Sequence, residues 1–207
     1  MIDTSKIYTK FKALIFDLDG TLINSEPYHL KAWNELLTEL GMPLMTYEYI
    51  LSVGGIKSSE ICRMMCEKAG RQDLDPVATA SKKTGIYIEK YLNEVPLFDS
   101  IANFLIEGHR RGLKIAVATG SQLKETESLL KRHGLYDMVE ALVSSDQVKH
   151  CKPAPDTYLE AAKRLNVAPN DCLVFEDTNV GLQGIKAAGM TALQVKGGKI
   201  ISDFILP

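Results

Sequence analysis

Five short runs, Ala13–Phe16, Ile115–Ala118, Ala141–Val143, Cys172–Phe175 and Ala192–Val195, are almost unbroken in their hydrophobicity. A strand with one wet face alternates apolar with polar. A strand covered on both faces does not. Helical periodicities separate the later runs, at Ile101–Arg111, Leu123–His133, Thr157–Leu165 and Val180–Ala188. Gly112, Gly134 and Gly189 follow three of them and Asn166 the fourth, residues that readily take the left-handed turn that ends a helix. Strand, helix, strand in repetition predicts an α/β fold, a doubly wound parallel sheet with helices on both faces.

The interval from Asp17 to Leu113 breaks this rhythm. It carries helical patterns at His29–Leu40, Tyr47–Leu51, Ser59–Ala69 and Pro76–Leu92 and no good strand. A connection of that length is not a loop. Residues 27–96 therefore read as an inserted all-helical domain, and residues 1–26 and 97–207 as the domain that holds the sheet. The stretch "KIISDFILP" after the fifth run predicts an abbreviated sheet edge and terminal helix.

Composition excludes several roles. A net charge of -2 among 207 residues gives no basic surface for nucleic acid or an acidic membrane. No apolar stretch reaches the roughly 18 residues of a membrane span. Met1–Lys6 is polar and has no signal-peptide core, so a cytoplasmic location is expected. Of the four cysteines, Cys62 and Cys66 share a helix face. They read as reduced, half-buried thiols ahead of a zinc or redox pair.

In an open parallel sheet, ligands bind beyond the carboxyl ends of the strands. The first run is followed there by Asp17-Leu18-Asp19-Gly20-Thr21 and the second by Thr119-Gly120-Ser121. After the third come Ser144-Ser145-Asp146 and then Lys152-Pro153. After the fourth come Glu176-Asp177. Any one of these is most often a turn, an exposed loop or a helix cap. Together they direct carboxylates, hydroxyls and a lysine to one edge of the sheet. Clustered carboxylates repel unless a cation sits among them, and hard oxygen donors suit Mg²⁺. A carboxylate there can attack phosphorus, and a second two residues on can serve as acid and base. A hydroxyl and a lysine can hold phosphoryl oxygens, and Gly20 lets backbone N–H groups come close.

With these motifs in this order, the sequence resembles the haloacid dehalogenase superfamily of phosphotransferases over nearly its whole length. The carriers are "DLDGT" at 17–21, Thr119 in "VATGS", Lys152 in "KPAPDTY", and Glu176 and Asp177 in "VFEDTNVGLQGIKAAGM". "SEPYHLKAW" and "HCKPAPDTYL" place the resemblance in the helical-capped branch of β-phosphoglucomutase and small sugar-phosphate phosphatases, nearest the fructose-1-phosphate phosphatase-like proteins. The resemblance implies a Rossmann-like core with an all-helical cap that closes over the substrate. It implies Asp17 as nucleophile and Mg²⁺ ligand. Asp19 would be general acid/base, its carbonyl also on the metal. Thr119, Gly120, Gly20 and Lys152 would hold the phosphoryl group. Asp177 would ligate Mg²⁺, with Glu176 beside it directly or through water.

Cap candidates for the substrate are His29, Lys57 in the turn Gly54–Ser59, and Lys83. Each reads equally well as a structural histidine or a solvated lysine. His29 and Trp33 follow the hinge, and His29 matches a mutase position that helps orient the acid/base. The mutase also carries a cap arginine that grips a distal phosphate. "GIKSSE" has none, although Lys57 lies beside that place. The expected activity is thus a Mg²⁺-dependent phosphatase on a small phosphorylated metabolite such as fructose 1-phosphate. A β-phosphoglucomutase-type phosphomutase is the alternative. A monomer is expected, since a cap must move.

Overall fold

The structure is a computed structural model that describes residues 6–207. Residues 1–5, on which the reading of a leaderless start rested, lie outside the described residues. In chain order the elements are α1 (Ile7–Lys10), β1 (Ala13–Phe16), α2 (Glu26–Glu39), α3 (Tyr47–Ser52), α4 (Ser58–Ala69), α5 (Pro76–Ile86) and α6 (Asp99–Arg110). They continue as β2 (Lys114–Ala118), α7 (Leu123–Arg132), β3 (Ala141–Val143), α8 (Asp156–Leu165), β4 (Cys172–Glu176), α9 (Asn179–Ala187), β5 (Thr191–Lys196) and β6 (Lys199–Ile200).

The sheet order is β3-β2-β1-β4-β5-β6, parallel from β3 to β5. The chain winds outward from β1 in both directions, so the topological switch lies at β1 and its neighbour β4. β1 and β4 are buried at every position, which is why their sequences do not alternate. On one face Ala13, Ile15, Ala116 and Val174 pack with Ala161, Ala162 and Leu165 of α8 and Ile185 of α9. On the other, Phe16 stacks on Phe175 at 4.6 Å between ring centres, and Phe104 of α6 lies 5.4 Å from Phe175. A methyl group at Gly108 would come within 2.7 Å of Leu14, so α6 rides close on the sheet.

The edge departs from expectation. Gly197 and Gly198, both at positive φ, turn β5 back into an antiparallel β6. Two consecutive glycines between strands are a hairpin signal, and "KGGK" carried it. Ile205 then exchanges backbone hydrogen bonds with Ala192, so the stretch read as an abbreviated edge extends the sheet.

The chain divides into two compact units, Ser25–Val95 and the remainder. In the sheet unit, the exit and return of the insertion run side by side: Asn24 N–H donates to Pro96 C=O at 3.0 Å and Phe98 N–H to Leu22 C=O at 2.8 Å. The helical unit closes around Trp33, Leu36, Leu37, Ile50, Ile61, Cys62, Cys66 and Ala80. Its last helix was expected to run through Leu92. Instead α5 ends at Ile86 and widens into a π-helical turn, Tyr87–Tyr91. The buried residues Lys83, Tyr87 and Leu92 are spaced by four and then five, and the wider turn keeps Leu92 inward. Cys62, Cys66 and Cys172 are buried rather than half-buried. Burial, then neighbouring Cys66, pushes the Cys62 thiol up to about 12, which leaves it inert near neutrality. No helix among the described residues is long and apolar enough to cross a membrane.

Candidate active site

β1 delivers Asp17 into the interior at the switch point. Its N–H still belongs to the sheet, donating to Phe175 C=O at 3.0 Å, and only 5% of the residue is exposed. The chain then folds tightly. Leu18 C=O accepts from the N–H groups of Thr21, Leu22 and Ile23, and Gly20 takes a φ of 79°. That left-handed turn is what the glycine is for. Its own N–H donates to Ile23 C=O at 2.8 Å and closes the turn.

The turn re-aims Asp19, whose Oδ2 accepts from Ser121 Oγ at 2.5 Å. Ser121 is itself fixed, its N–H donating to the Thr119 hydroxyl at 3.0 Å, while Thr119 N–H continues the ladder to Val143 C=O. Gly120 between them is exposed and borders open space, so no crowding demands a glycine there.

Lys152 reaches in from the loop before α8. Its Nζ donates to Asp17 Oδ1 at 2.5 Å and to Glu176 Oε2 at 2.9 Å, with all three side chains at most 7% exposed. Glu176 ends β4 and is tied on both oxygens: Thr178 donates its N–H and hydroxyl to Oε1, at 2.9 and 2.6 Å, and Tyr158 its hydroxyl to Oε2, at 2.7 Å. Thr178 also caps α9 by accepting from Gly181 N–H at 3.0 Å. Asp177 accepts from the Thr21 hydroxyl at 3.2 Å.

Burial, then the Glu176 charge, pushes Asp17 well above the usual carboxylate range, and Lys152 only partly offsets this. Burial acts the same way on Glu176, but Lys152 and the hydrogen bonds from Thr178 and Tyr158 outweigh it and hold Glu176 below its ordinary value. Burial disfavours the Lys152 ammonium, yet Asp17 and Glu176 together keep it charged. One ammonium among Asp17, Glu176, Asp177 and nearby Asp19 leaves an excess of negative charge. Carboxylate oxygens of Asp17, Glu176 and Asp177 lie within 4.8 Å of one another. The hard oxygens of Asp17 and Asp177, with the charge of Glu176 beside them, fit a small divalent cation.

Against this geometry, residues 14–195 match the haloacid dehalogenase-like hydrolase family. The chain belongs to that family. It has curated relatives over nearly its full length. It is 39% identical to fructose-1-phosphate phosphatase YqaB of Escherichia coli (strain K12), over 92% of this chain and 99% of that one. It is 29% identical to β-phosphoglucomutase of Bacillus subtilis (strain 168), over 91% and 84%. The crystal structure of CbbY from Rhodobacter sphaeroides in complex with phosphate superposes with a TM-score of 0.81 at 28% identity, covering 90% of this chain and 87% of that one.

The sequence did not single out Ser121, Tyr158, Thr178 or Gly181. Tyr158 reads as one more residue of the apolar stripe Tyr158, Ala161, Ala162, Leu165, and only its hydroxyl leaves that stripe. Gly181 had a signal in "NVGLQG". A Cβ there would sit 2.1 Å from the Glu176 carboxyl carbon, so α9 starts where only glycine fits. Gly181→Ala must displace the carboxylate that holds Lys152. We expect kcat to fall at least about tenfold and stability by about 1–3 kcal/mol, read by steady-state kinetics and thermal melting. An alanine variant with native kcat would show that Glu176 has room to spare.

The cap candidates all lie in the helical unit. Lys57 is an exposed residue at the start of α4. Lys83 is not the solvated lysine the sequence allowed. It is 3% exposed, its Nζ lies 2.8 Å from His29 Nδ1, and it sits 5.6 Å over the Trp33 ring and 5.1 Å over Tyr87. His29 stacks on Tyr87 at 4.1 Å. The pair holds the imidazole in place. With Lys83 as donor, Nδ1 is the acceptor and Nε2 carries the proton.

Proposed function

We propose that this haloacid dehalogenase-like hydrolase is a Mg²⁺-dependent phosphoric monoester hydrolase that works through an aspartyl phosphate. The observation that carries the reading is Asp17, a buried carboxylate at the switch point bridged to an ammonium at 2.5 Å, with a second carboxylate two residues on held by its own hydroxyl donor. A structural ion pair needs neither the second carboxylate nor Asp177. A phosphoryl-transfer site needs both.

Asp17 attacks the phosphorus of a bound ester. As the P–O bond to the leaving group breaks, protonated Asp19 gives its proton to the departing alkoxide. Asp19, now a carboxylate, takes a proton from water. That water attacks the phosphorus of the aspartyl phosphate and releases inorganic phosphate and free Asp17. Lys152 and the Thr119 hydroxyl bind phosphoryl oxygens through both steps, and the backbone at Gly120 lies beside them. Asp17, Asp177 and the Asp19 carbonyl would hold Mg²⁺. When bound, the cation supplies charge neutralisation at the attacked phosphoryl group.

A sugar phosphate such as fructose 1-phosphate is the proposed substrate, supported by the relative named for that activity and by the absence of an arginine in "GIKSSE". The choice among sugars we assign to the helical domain, residues 27–96, with His29, Lys57 and Lys83 as candidates. Phosphate release from sugar phosphates, nucleotides and pyrophosphate tests this. We expect release to be strongest from small sugar phosphates, to stop on chelation and to return with Mg²⁺. Glucose 6-phosphate made from β-glucose 1-phosphate and a bisphosphate primer, with little free phosphate, would make the protein a phosphomutase. Metal-independent release would overturn the cofactor.

A further inference from the structure

A carboxylate offers about four lone-pair directions, and those of Glu176 are all taken. Thr178 fills two through Oε1, and Lys152 and Tyr158 fill two through Oε2. To bind a cation directly, Glu176 would have to give up a partner inside a buried site. The same arrangement does something definite for Lys152. An ammonium has three donors, and two go to Asp17 and Glu176. The direction left to the third follows from where the first two are pinned.

Tyr158 touches this arrangement twice. Its hydroxyl anchors the oxygen of Glu176 that receives Lys152, and its ring lies beneath the ammonium, 5.1 Å from Nζ to the centroid. The ring is wholly buried and cannot swing away. A methyl group on Gly184 would stand 3.2 Å from it, so α9 closes it from above. We propose that Tyr158 is a positioning residue for Lys152, acting through Glu176, and that Glu176 orients the lysine rather than ligating the metal. This rests on the phosphatase reading, and it assigns the residue that sets the phosphoryl-binding geometry.

Tyr158→Phe keeps the ring and removes one hydrogen bond to a charged group. We expect kcat to fall about tenfold and the calorimetric Kd for inorganic phosphate to weaken several-fold, while the Kd for Mg²⁺ stays within about twofold. Melting temperature serves as the control for folding. Should the phenylalanine variant not fold, Glu176→Gln takes its place: kcat and phosphate affinity fall further than Mg²⁺ affinity, which weakens only by the loss of a neighbouring charge. Native kcat and phosphate affinity in Tyr158→Phe would reduce the tyrosine to a core residue. A Mg²⁺ Kd that weakens in step with kcat, in either variant, would make Glu176 a metal residue and overturn the proposal. If the wild-type protein hydrolysed no ester, the phosphatase reading would fall by itself. The phosphate and Mg²⁺ titrations would still decide the role of Tyr158.

Discussion

Asp17→Asn abolishes phosphate release, with a loss of at least about 10⁴-fold, and the protein does not become less stable. The first half follows from the proposed chemistry, since an amide oxygen cannot form the aspartyl phosphate. The second half follows from where Asp17 sits. Burial and the neighbouring Glu176 charge disfavour its ionised form, so the native fold holds this carboxylate at a cost. An isosteric neutral amide removes that cost and still offers an oxygen to Lys152. Melting without added metal should therefore give a temperature equal to or above the wild-type value. This is the behaviour of a group kept for function rather than for stability. A variant with substantial turnover would rule out Asp17 as nucleophile. A markedly lower melting temperature would show that Asp17 is chiefly a structural ion-pair partner.

Lys152→Ala has the opposite profile. It removes an ammonium that contacts both Asp17 and Glu176, and leaves two carboxylates buried side by side. Breaking a buried pair from one side costs about 3–5 kcal/mol. For a chain of this length that is a fall of about 6–20 °C in melting temperature. Activity should fall by about 10²–10³-fold, the scale of losing one stabiliser of phosphoryl charge. Because the residual carboxylates need a cation, added Mg²⁺ should recover more melting temperature in the variant than in the wild type. An unchanged melting temperature in chelator would contradict the balance of charge described for the site.

The two variants show why part of this site is legible in a sequence and part is not. Strands buried on both faces must be apolar throughout, and the chemistry follows at their ends, so Asp17, Thr119, Lys152 and Glu176 stand out by position. The helical insertion is legible because no strand pattern interrupts it. Lys83 is a different matter. Its letter gives the same signal whether it is solvated or buried against Trp33 and His29, and only the fold decides. Tyr158 hides for a related reason, since its ring obeys the helical stripe while its hydroxyl serves Glu176. The π-helical turn at Tyr87–Tyr91 keeps a helical pattern and shifts its spacing by one residue, too little for periodicity to resolve. β6 was within reach, because two glycines between strand-like segments are a turn with a physical cause.

The central claim is that phosphorus becomes bonded to Asp17. The direct measurement is rapid quenching of a single turnover with labelled substrate, reduction of any acyl phosphate by borohydride, and peptide mass analysis. The account predicts a transient labelled species whose reduction converts residue 17, and only residue 17, to homoserine. Turnover with no such species, or with phosphate on Thr119 or Ser121 instead, would contradict it.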